Sequence, residues 1–174
     1  MPGIDLTTAL GRLLSNAELR RDYAQDAAAL ARRLDVDEKH LDGFLALDQN
    51  GLDIQAEALI GKRFHEASAL LPETTARYGA AARRMFFEFA ESSWPTGHRR
   101  HLEDAVAFCQ FLHTREGTGP CEAEFNRLHF LLQERRVAFH LVWRFPYRTR
   151  HRATLQLLTR RRDGRLRQTV MYLF

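Results

Sequence analysis

The chain has 174 residues, 45% of them hydrophobic and 28% charged, with a net charge of +4. That balance belongs to a globular protein with a sizeable core and excludes the disordered and low-complexity classes. No apolar run approaches the roughly 20 residues of a membrane span. Met1-Pro2-Gly3-Ile4-Asp5 has no signal-peptide pattern, and Cys109 and Cys121 form no CxxC pair, so the expected setting is cytoplasmic, with reduced thiols and no membrane.

Residues 5–34 carry short helical stripes: Leu6, Leu10, Leu13 and Leu14 first, then a segment to Tyr23 that Asn16 can cap, then Ala27–Leu34 behind Asp26. Asp37 opens a further helix with Leu41, Phe44, Leu45 and Leu47, expected to stop near Asn50-Gly51. Ile54–Leu71 is the longest helical pattern, ended by Pro72. Thr74 or Thr75 starts a helix running through Tyr78, Met85, Phe86 and Ala90 to Trp94-Pro95, and Arg100–Thr114 gives another. Gly117-Thr118-Gly119-Pro120 is the one linker-like break, and Glu122–Arg135 forms a helix beyond it.

From Arg136 the period changes. Val137, Phe139, Leu141, Trp143 and Phe145 alternate with other residues at the spacing of a half-buried strand, and Ala153–Thr159 and Leu166–Leu173 flank Asp163-Gly164. Asp-Gly between strand-like runs predicts a hairpin with a type I′ turn. Centred there, the turn pairs Arg162 with Arg165, Arg160 with Arg167, Leu157 with Val170 and Leu155 with Tyr172. One face then carries Leu155, Leu157, Val170 and Tyr172, and the other Arg160, Arg162, Arg165, Arg167 and Thr169. The expected class is α+β: a helical domain over residues 1–116, then residues 121–174 as a helix and a small three-stranded antiparallel sheet.

Charge follows the same division. From Cys121 onward twelve arginines face four carboxylates, a net +8 that leaves −4 for residues 1–120. Such asymmetry points to an acidic partner for the C-terminal part.

Motifs for an autonomous active site are missing. His65-Glu66 begins an HExxH pattern, but Ala69 stands where the second histidine should be. His98 and His101 are three apart with two arginines between them, and Asp48-Gln49-Asn50-Gly51 reads as a turn, not a calcium loop. Cys109 shares an apolar face with Phe108 and Phe111 and reads as core. No phosphate loop or nucleophile elbow occurs. The expectation is a non-catalytic protein without catalytic residues, metal ligands or a cofactor of its own.

Ala56–Thr74 (AEALIGKRFHEASALLPET) and Phe86–Leu112 (FFEFAESSWPTGHRRHLEDAVAFCQFL) resemble the MbnC-like partner proteins of multinuclear iron-dependent oxidases. These act in the biosynthesis of ribosomally made, modified peptides such as methanobactin. The marks are Lys62-Arg63, Pro72, Phe86, Trp94-Pro95 and Asp104-Ala105. The resemblance implies a small subunit of a heteromeric complex, in which the oxidase subunit carries the iron. By the same resemblance the small subunit recruits the acidic leader of a precursor peptide as an added strand, and the oxidase converts core cysteines to oxazolone and thioamide groups.

For strand addition the last strand is the first choice, through Arg165, Arg167, Gln168, Thr169, Val170, Met171, Tyr172 and Leu173. The alternative edge carries Phe139, Leu141 and Trp143, with Pro146 removing a donor at its end. A nucleic-acid-binding or regulatory module built on the same arginines is the competing expectation. It is disfavoured because Trp143 lies in phase with the residues expected to face the core, leaving no aromatic platform.

Overall fold

In the computed structural model, residues 3–116, 121–133, 135–147 and 150–173 are described. The elements are α1 (Leu6–Ser15), α2 (Ala17–Gln25), α3 (Ala27–Leu34), α4 (Glu38–Leu45), α5 (Gln49–Leu70), α6 (Pro72–Tyr78), α7 (Ala80–Ser92), α8 (Arg100–Glu116), α9 (Glu122–Leu132), β1 (Val137–Tyr147), β2 (Arg150–Arg160) and β3 (Leu166–Tyr172). The class is α+β, as the change of period indicates. Two compact units are formed, Met1–Phe64 with Met85–Trp94, and His65–Arg84 with Pro95–Phe174.

In the first unit short polar side chains set the helix starts. The Asp5, Asn16, Asp26 and Asp37 side chains each accept a backbone N–H from the first turn of α1, α2, α3 and α4. These helices enclose Ala9, Leu13, Tyr23, Leu30, Ala31, Phe44 and Leu52. The buried Tyr23 hydroxyl lies 2.9 Å from both the Phe44 and the Leu47 carbonyl oxygens, which tie up the end of α4.

Helix boundaries differ from the sequence reading, most of all at α5 and between α6 and α7. Asn50-Gly51 does not stop a helix. Asp48 accepts the Gly51 N–H at 2.7 Å, so these residues form the first turn of α5. The helix expected from Thr74 to Ala90 is two helices, because Gly79 takes φ +54° between α6 and α7.

In the second unit α6 has no capping side chain of its own, since Leu71 occupies its N-cap. The buried Glu124 carboxylate on α9 supplies the missing acceptors, taking the Glu73 N–H at 2.7 Å, the Thr74 N–H at 2.9 Å and the Thr74 hydroxyl at 2.7 Å. Thr74 Oγ1 also accepts the Cys121 N–H at 2.9 Å. Arg127 donates to the Leu70 carbonyl at 2.7 Å. These bonds fix α9, and α9 fixes the sheet.

Candidate functional site

The sheet runs in the order β1-β2-β3, antiparallel throughout. Its hairpin turn is not the expected type I′. Only Gly164 has positive φ (+81°), the Gly164 N–H reaches the Arg161 carbonyl at 3.0 Å, and the Arg161 N–H reaches the Arg165 carbonyl at 2.9 Å. This is a three-residue loop with glycine in the left-handed position, and Asp163 steadies it by accepting the Arg165 N–H at 3.0 Å.

The longer loop moves the pairing by one residue. Arg160 now opposes Leu166, Thr159 opposes Arg167, Leu157 opposes Thr169, Gln156 opposes Val170 and Thr154 opposes Tyr172. A shift of one residue exchanges faces along β3. Val170 and Tyr172 therefore leave the side of Leu155 and Leu157, while Arg167 and Thr169 join it.

The buried face is also the reverse of the expected one. α9 covers the side carrying Ala138, His140 and Val142 of β1 and Thr154, Gln156 and Leu158 of β2. Gln156 is fully buried there, donating to the Ala123 carbonyl at 2.8 Å, with Asn126 donating to its side-chain oxygen at 3.3 Å. Arg160, expected on the basic face, lies under the end of α9 and donates to the Gln133 carbonyl at 2.9 Å. Its guanidinium stands 5.7 Å from the Phe130 ring centre.

The other side of the sheet is open. Val137, Phe139, Leu141 and Trp143 of β1, Leu155 and Leu157 of β2, and Met171 and Leu173 on the β3 side line it. Phe139 is 64% exposed and Trp143 67%. Trp143 is thus not a core residue. A bulge between Val142 and Phe145 turns Phe145 to the opposite side, where it packs near Cys121, Ala123 and Val142 and meets the Tyr172 ring edge-on at 6.2 Å.

Backbone bonds fix which groups point out at each edge. The Leu173 N–H reaches the Ala153 carbonyl at 3.0 Å, and Arg161 bonds Arg165, so alternation turns Thr169 and Met171 toward β2. Gln168 and Val170 then direct their N–H and C=O away from the sheet. On the opposite edge the Arg160 N–H reaches the Arg136 carbonyl at 2.8 Å, so Phe139 and Leu141 point outward. The outward run of β1 is broken at its far end by the bulge and by Glu122, which accepts the Trp143 N–H at 3.2 Å.

Arg135, Arg136, Arg161, Arg162, Arg165 and Arg167 gather at the hairpin end of the sheet, and all are exposed. Among the described residues their one ion pair is Arg165 with Asp163 at 3.9 Å. His140 lies on the covered face, and burial lowers its pKa, with His129 and Arg135 acting in the same direction.

The remaining candidates stay apart. His65, His98 and His101 are exposed, and among the described residues no three or more His, Cys, Asp or Glu side chains are grouped to hold a metal ion. Cys109 and Cys121 are free and buried, and burial pushes both thiols up.

The sequence model of a family described as "SCO6045-like, C-terminal domain" matches residues 24–114. The chain belongs to that family. Residues 56–74 and 86–112, which carry the resemblance to the methanobactin partner proteins, fall inside the match, but the family shown is the SCO6045-like one. The SCO6045-like match ends before α9 and the sheet. No curated protein and no solved structure matches the chain. Among the described residues no helix is long and apolar enough to cross a membrane.

Proposed function

We propose that this SCO6045-like protein is a non-catalytic recognition subunit that captures an acidic peptide by strand addition and presents it to an iron-dependent oxidase. The observation that carries the proposal is the β3 edge, where Gln168 and Val170 offer outward backbone groups beside the exposed Arg165 and Arg167. An added strand takes two bonds at each outward residue, at about 0.5–1.5 kcal/mol net apiece. Arginines at one end set its direction by pairing with carboxylates. The partner, and cysteine oxidation of a methanobactin-type precursor, follow from the resemblance of residues 56–74 and 86–112.

The test has two parts. An acidic leader peptide should bind the purified chain and compete poorly when its carboxylates are replaced by amides. Co-expression with an iron oxidase encoded beside it should give a stable complex in which only the complex oxidises the peptide. Turnover by the isolated chain would overturn the proposal.

The exposure of Phe139 and Trp143 favours a second reading, since two open aromatics beside arginines suit stacking on single-stranded nucleic acid. That reading expects affinity to fall with salt at a slope of about −0.7 per phosphate neutralised on a single strand. Sequence-dependent binding of peptides with weak salt dependence would exclude it.

A further inference from the structure

The open side of the sheet is a separate feature from the β3 edge. It presents Val137, Phe139, Leu141, Trp143, Met171 and Leu173, all more than 40% exposed, as one apolar surface. An apolar sheet face normally receives a second layer, as α9 supplies on the other side. We infer that this face is a docking surface for an acidic amphipathic helix of a partner protein.

Dimensions and charge select that occupant. Three strands about 4.8 Å apart make a ribbon near 10 Å wide, the width of one helix with its side chains. The run from Val137 to Trp143 is about 20 Å long, which a helix of about 13 residues spans. At the Val137 end the six exposed arginines have Asp163 as their one ion-pair partner among the described residues, and Arg167 stands on the open face itself. A helix with carboxylates toward its C-terminal end satisfies them, and its dipole is negative there as well. A second copy brings the same six arginines and, among the described residues, only Asp163 and Glu122 at the ends of this sheet, so self-association leaves most of the arginines unmatched.

The inference does not rest on strand addition, because the edge of β3 and the face use different groups. The probe is a synthetic helical peptide of about 14 residues with leucines on one face and glutamates on the other, beside a twin carrying lysines for glutamates. Binding is read from the emission of Trp143, with Trp143→Phe as the control that must abolish the signal. The glutamate helix should shift the emission to the blue and bind at least about tenfold more tightly than the lysine helix. Phe139→Asp, a change at an exposed position, should abolish binding without altering the circular dichroism. Val170→Pro should leave helix binding intact while weakening capture of an extended peptide, which separates failure of this inference from failure of strand addition. Equal affinity for both helices, or no shift with either, overturns the inference. So does self-association that Phe139→Asp removes, or a single-stranded oligonucleotide that occupies the face in preference to the glutamate helix.

Discussion

Proline at adjacent positions of β3 separates the edge from the ladder. Val170 directs its N–H away from β2, whereas Met171 directs its N–H toward Leu155. Val170→Pro therefore removes one donor that β3 offers to an added strand and crowds the neighbouring residue, a loss of about 1–2 kcal/mol, or roughly 5–30-fold in peptide affinity. The folded chain loses no ladder bond at that position, only part of the packing of a half-buried side chain opposite Gln156. Met171→Pro breaks a bond inside the sheet and costs on the order of 2–4 kcal/mol of stability. Anisotropy of a labelled acidic peptide measures the first effect, and thermal melts followed by circular dichroism measure the second. Val170→Pro that stays folded and binds like the parent chain would refute the edge assignment. A Met171→Pro protein as stable as Val170→Pro would refute the alternation itself.

Glu124→Ala should lower stability by about 2–4 kcal/mol, because three donors at the start of α6 lose a charged acceptor inside the protein; Glu124→Gln, keeping one oxygen, should lose less, and thermal melts decide. His140 holds its proton more weakly folded than unfolded, so its contribution to stability is complete above the ordinary histidine value of about 6.5 and is lost as pH falls through that value toward the lower folded one. The stability difference between the parent chain and His140→Gln should be constant above that pH range and shift against the parent as pH falls through it, whatever offset the substitution itself brings.

The helical starts were legible because their signals are local: Asn16, Asp26 and Asp37 sit immediately before apolar periodic runs, and each caps its helix. The sheet was legible as three strands and a hairpin for the same reason. Its register and its buried side were not. Asp-Gly is compatible with both a two-residue loop and a three-residue loop ending in left-handed glycine, and one residue of difference exchanges the faces of β3. Choosing the buried side by hydrophobicity failed because the layer above it decides. α9 meets the sheet through Ala123, Asn126 and Phe130, so Ala138, Val142 and Thr154 lie beneath it, and Gln156 is satisfied by Ala123 and Asn126. The signal available in the sequence was Ala138, a small residue on the strand face that α9 covers. Phe139, Leu141 and Trp143 were named for an edge, and their side chains prove to form a face.

Amide hydrogen exchange of the chain with and without an acidic leader peptide tests strand addition most directly. Gln168 and Val170 point outward and should exchange readily in the free protein, then gain protection together on binding, while Thr169 and Met171 are already protected by the ladder and change little. Tight peptide binding with no gain at Gln168 and Val170 would contradict capture at the β3 edge.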